Sequence, residues 1–306
     1  MTARRHHYVP QCYLKGFAAD RDNPMLFVID ANRKYLFTTG PANVAAERDF
    51  HRVDAEGIEP DALENGFSAF EDDLSQALER IIAACSITNA KDWAYVINLM
   101  ALMATKNPQH RETFREFHEE LMKRVLDLAT ATPERWESQM RRAKADGAIN
   151  ADADGSYEQM RDFVVRDEFK VNVKTNFNLH LEVKAYETVL PFLARRGWML
   201  LRALKGQTGF ITSSHPICLM WSDRARRGQF HGPGHGMRNT QLIFPISNEL
   251  CAVGAFELHH EERDVPQDQD RQDQCDDSII FGPANLRARR QLRLSNGAQR
   301  QDHART

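Results

Sequence analysis

The chain has 306 residues, 42% of them hydrophobic and 27% charged, with a formal net charge of −3. That is enough apolar material for one large core or two modest ones, and the near-neutral balance argues against a dedicated basic coat for nucleic acid. Five cysteines, Cys12, Cys85, Cys218, Cys251 and Cys275, form no Cys-x-x-Cys pair, which points to reduced thiols rather than a thiolate zinc site or a disulfide framework.

The chain opens with Arg4 and Arg5 but no apolar run follows them, so no signal peptide is expected. Apolar stretches such as 93–104 are interrupted and too short to span a bilayer. A cytoplasmic protein with no membrane partner is the expectation.

Pro10 predicts a short helix, with Tyr8, Cys12, Leu14 and Phe17 toward one face. Two apolar runs, 25–29 and 35–39, flank Asp30-Ala31-Asn32-Arg33 and read as a hairpin. From about residue 60 the period becomes helical: Leu63, Phe67, Phe70, Leu74, Leu78 and Ile81 form one stripe. Asn89 is placed to cap a second helix, which Pro108 ends or kinks. A third helix carries Phe114, Phe117, Leu121, Val125 and Leu128, and Pro133 suits the first turn of a fourth. Residues 146–156 read as a loop, and a less regular helical pattern runs over 157–195.

Past Gly197 the chain turns strand-like, in short apolar runs at 198–204, 209–213, 217–221, 241–245 and 250–256. The glycine-rich loop 231–236 separates two of them. Residues 261–277 read as an acidic, solvated stretch, and 291–306 as a polar, basic tail. The expected fold is therefore α+β. A single domain over 1–290 has a helical middle, about 60–195, inserted between β-containing ends that could join in one mixed sheet; its β-rich part spans about 197–257.

Three constellations could carry chemistry. His6, His7 and Gln11 stand at the start of the Pro10 helix, where imidazoles could act as base, acid or metal ligand. Glu64 and Glu71 are seven apart, on one helix face two turns apart, with Lys106 as a potential partner. Such carboxylates near a histidine suit acid–base work or a divalent metal, and equally an ordinary ion pair. Ser213-Ser214-His215-Pro216 closes a predicted strand, where sites are common. Adjacent strand side chains face opposite ways, and no Gly-x-Ser-x-Gly elbow is present, so a serine hydrolase is not indicated. Phosphate-loop, dinucleotide and His-Glu-x-x-His motifs are absent from the sequence.

The run His6-His7-Tyr8-Val9-Pro10-Gln11-Cys12-Tyr13-Leu14-Lys15-Gly16-Phe17 resembles the start of a bacterial family, the domain of unknown function numbered 4238. Ala62-Leu63-Glu64 through Phe70-Glu71, Ala104-Thr105-Lys106-Asn107-Pro108, the strand from Gly209 to Ile217, and Phe244-Pro245-Ile246-Ser247 resemble its later segments in order. The resemblance implies a shared fold and a shared polar centre. Lys106 stands where the family shows arginine, and Ser214 or His215 where it shows aspartate. Each change bears on activity, the first by losing a bidentate guanidinium contact.

These readings give an expected hydrolase of a phosphodiester or other anionic substrate, metal-assisted if a divalent ion is held. His6, His7, Gln11, Glu71 and His215 are its catalytic candidates, with Lys106 and Ser214 toward substrate. The alternative is a non-catalytic module for a protein or nucleic-acid partner, including a nucleotide, using the basic runs 224–227 and 287–293.

Overall fold

The computed structural model describes residues 5–54, 56–167, 169–204, 208–226, 231–258 and 279–282. The acidic stretch 261–277, His259-His260, Cys275, Asn285, Arg227 and the tail from Arg287 lie outside the described residues. The fold is α+β, with helices in the middle and strands at both ends.

The first element is a short strand, β1 (Arg5–His7), followed at Pro10 by the single-turn helix α1 (Gln11–Lys15). The expected hairpin forms as β2 (Leu26–Asp30) and β3 (Tyr35–Thr39), in register from Leu26 opposite Thr39 to Asp30 opposite Tyr35. Asp30 Oδ1 closes the turn by accepting the Arg33 backbone N–H at 3.0 Å. Strand β4 (Ala46–Arg48) runs back antiparallel to β1, setting His6 opposite Glu47.

Helix α2 (Ala62–Ala84) carries the apolar stripe; its Leu74, Leu78 and Ile81 are buried. Asn89 caps α3 (Ala90–Thr105), its side chain accepting the Lys91 N–H at 2.8 Å. Pro108 starts a new helix, α4 (Pro108–Ala129), where a helix tolerates proline. Then come α5 (Pro133–Ala145), α6 (Tyr157–Arg166) and α7 (Thr175–Ala194). Thr132 caps α5 and Pro133 sits in its first turn.

The strands β5 (Gly197–Arg202), β7 (Cys218–Trp221), β8 (Thr240–Pro245) and β9 (Leu250–Ala255) form an antiparallel sheet ordered β5-β9-β8-β7. Strand β6 (Thr212–Ser213) instead joins β10 (Ile279–Gly282), which pairs with β2, giving the order β3-β2-β10-β6. Chain ends therefore do meet in a sheet, but the expected single mixed sheet is replaced by separate antiparallel ones. The physical reason is that the connections are hairpins and returns, which favour antiparallel pairing, and β5–β9 closes on its own neighbours.

Two compact units result: Met1–Asn107 with Leu179–Thr306, and Pro108–Asn178. The first holds the core, in which Tyr13, Phe17, Leu74, Leu99, Met100 and Phe244 are fully buried. Tyr13 donates to the Pro245 carbonyl at 2.7 Å and receives the Thr212 hydroxyl at 2.7 Å, so one phenol joins α1 to two strands. In the second unit no side chain of α4, α5 or α6 is buried. Its internal ties include Arg161 with Asp127 at 2.6 Å and the Trp136 indole N–H on the Gly155 carbonyl at 3.0 Å. Among the described residues, no helix is long and apolar enough to cross a membrane.

Candidate functional site

The β1–β4 ladder decides where the histidines go. Successive strand residues face opposite ways, and the pair His6 and His7 is split accordingly. His6 is 1% exposed and its Nδ1 accepts the backbone N–H of His51 at 2.8 Å. His7 is half-buried and its ring bonds the Val44 backbone, while its Nδ1 has no partner. Burial, then the charge of Arg5, lowers its pKa.

His51 reaches this position because the chain leaves β4 through Asp49, at φ 56°. That left-handed residue folds Phe50 and His51 back across β1; Asp tolerates it better than most residues. His51 is also 1% exposed, and its ring stacks 5.5 Å from that of His6. Its Nδ1 lies 2.7 Å from Glu64 Oε2.

The protonation states follow from the surroundings. Burial pushes the Glu64 carboxyl up, but the hydrogen bond and charge of His51, with the charges of His6 and Lys106, outweigh it and hold the group below its usual range. Glu64 is thus a carboxylate and an acceptor, so His51 Nδ1 carries the proton. Burial pushes His51 down to about 4 against the raising effect of Glu64, with Lys106 adding to the fall. At neutral pH the contact is therefore a neutral N–H donating to a carboxylate. The open lone pair is His51 Nε2, which is buried and has no partner.

His6, His51 and Glu64 bring one donor atom each within 4.8 Å, a spacing that a metal could use. The hydrogen bonds speak against it. The His6 Nδ1 lone pair holds the His51 amide, and His51 Nδ1 is protonated toward Glu64. A cation there would strip an acceptor from a buried N–H. The donor set fits a hydrogen-bonded relay.

Lys106 caps the C-terminal end of α3 and is 6% exposed, its Nζ 4.0 Å from the centre of the Phe67 ring. Phe67 lies between Glu64 and Glu71 on one face of α2, so the ammonium is within electrostatic reach of both. Glu71 is half-buried, and burial pushes it up to about 7 even though Lys106 pulls the other way. Cys12 is near enough to feel that carboxyl; burial and then Glu71 push its thiol up to about 12, so it is no thiolate nucleophile.

The remaining candidates are spread around this centre. Next to Lys106, the Asn107 amide donates to His215 Nδ1 at 2.6 Å, which docks the turn after β6 onto the end of α3. The His215 amide donates to Ser213 Oγ at 3.1 Å, and Ser214 is half-buried on the same turn. Gln11 opens α1, and among the described residues no hydrogen bond links it to the histidine cluster. With only five residues, α1 supplies little helix dipole for an anion. Arg224 and Arg226 sit on an exposed 3-10 turn, the latter against Trp221 at 5.6 Å.

Sequence reasoning missed His51. It stands alone between Phe50 and Arg52, and no local signal marks it; the strand pairing and the Asp49 turn place it. Between α2, α3 and α7 lies a cavity of about 360 Å³, lined in part by His51 and Lys106.

Comparison with curated proteins and with solved structures finds no match. The family described as "Protein of unknown function (DUF4238)" matches residues 5–285, and the chain belongs to that family.

Proposed function

We propose that the chain is a hydrolase of a phosphodiester or related anionic ester, with His51 as general base. The observation that carries this reading is the His51 Nε2 lone pair, buried without a partner while Glu64 fixes the ring from the other side. In this scheme Nε2 takes a proton from water as it attacks. Glu64 holds the tautomer and stabilises the imidazolium that forms, as a buried carboxylate does for a histidine base. Lys106 offsets the charge that builds on the ester, and Glu71, protonated below about 7, serves as the proton donor. His6 positions His51 through the backbone. His215 and Ser214 border Lys106 through Asn107 and complete the substrate side.

The test is turnover of bis(p-nitrophenyl) phosphate by the full chain, with a chelator and separately with magnesium, manganese or zinc. The expected result is turnover in chelator that falls by about 10²–10⁴ in His51→Gln, the range of a lost general base. No turnover in any condition, or turnover indifferent to His51→Gln, overturns the reading. Activity that appears only with a metal overturns its metal-free form.

A further inference from the structure

The cavity beside His51 lies within the size range of small-molecule sites. Its walls are Phe67 and Phe70 from α2, Leu102 from α3, and Leu179 and Val183 from α7. Two opposite charges line it, Lys106 and Glu182, so its selectivity comes from apolar contact more than from net charge. Gly66 and Val183 are both solvent-exposed and mark where it opens.

Gly66 is the telling residue. It sits inside α2, where glycine weakens a helix relative to alanine. A Cβ there would meet nothing within 4 Å, so packing does not require the glycine. What glycine leaves is open space at the cavity, two residues from Glu64 and next to Phe67. His51 is one of the lining residues and its Nε2 is buried without a partner, a second and independent sign that a ligand belongs there.

We propose that this cavity takes an aliphatic or aryl substituent of the substrate, placing the ester it carries at His51. This inference rests on the hydrolase reading and narrows it: preferred substrates carry an apolar group, and diesters bearing only small or sugar groups are poor ones.

The test is calorimetric titration of the full chain with dibutyl phosphate and dimethyl phosphate, monoanions that differ only in apolar length. Dibutyl phosphate is expected to bind at least about tenfold more tightly, since each buried methylene is worth roughly fourfold. Gly66→Leu, which fills the opening, is expected to erase that difference with a melting temperature at or above that of wild type; Gly66→Ala, adding one methyl, keeps it. Equal affinities for the two diesters, or a preference untouched by Gly66→Leu, overturns the assignment. The two readings fail separately. A chain-length preference in binding with no hydrolysis of any diester would sink the hydrolase and leave the cavity, whereas hydrolysis with no preference would do the reverse.

Discussion

The backbone N–H of His51 donates to Nδ1 of His6 at 2.8 Å, joining residues 45 apart in sequence. This bond fixes two imidazoles at once. It occupies the His6 Nδ1 lone pair, and it holds the His51 ring where Glu64 can orient it.

His6→Ala should therefore leave a buried amide without an acceptor. A loss of about 2–3 kcal/mol is expected, the cost of an unsatisfied buried group plus lost packing. Denaturant unfolding measures it. His6→Asn, which retains an acceptor, should recover part of the loss, and equal losses for both variants would mean that the hydrogen bond is not what matters.

Glu64→Gln keeps an acceptor for His51 Nδ1 but removes the charge. The carboxylate raises the His51 pKa, so the variant should titrate below the wild-type value of about 4. Imidazole resonances followed by NMR against pH would show it. A rise would contradict the assigned hydrogen bond.

His51 also links stability to pH. Its folded pKa, about 4, is depressed from 6.5, so its contribution is fully present above 6.5 and is lost as pH falls toward 4. From pH 7.5 to pH 5 the loss should be about 2 kcal/mol. His51→Gln should flatten that part of the curve. An unchanged slope would place the titration on another group.

Glu71 works in the opposite sense. Its folded pKa of about 7 lies above the usual 4.5, so its contribution is fully present below 4.5 and is lost as pH rises through about 7. Glu71→Gln should gain on wild type in thermal melts as pH climbs from about 4.5 to about 7, with the gain levelling off above that. A constant difference across pH 4–9 would contradict the raised carboxyl.

Much of the architecture was legible because its signals are local. The stripe from Leu63 to Ile81, the Asn89 cap, Pro133 in a first turn and the Asp30 turn each act within a few residues. Strand β10 and the division into separate sheets were not legible, since pairing between β2 and β10 depends on partners some 250 residues apart that no local pattern encodes. The site divides in the same way. His6, Glu64, Glu71 and Lys106 stand out by type and spacing. Their central member, His51, is placed by a ladder and by a left-handed aspartate, and it is invisible to both periodicity and motif.

The most direct test of the account is the pH dependence of kcat/KM for bis(p-nitrophenyl) phosphate in chelator. A base that is neutral above about 4 and an acid that is protonated below about 7 predict a bell between those limits. Its acid limb should vanish with His51→Gln and its alkaline limb with Glu71→Gln. A profile that rises through pH 8, or one that keeps both limbs in the two variants, would contradict His51 and Glu71 as the working pair.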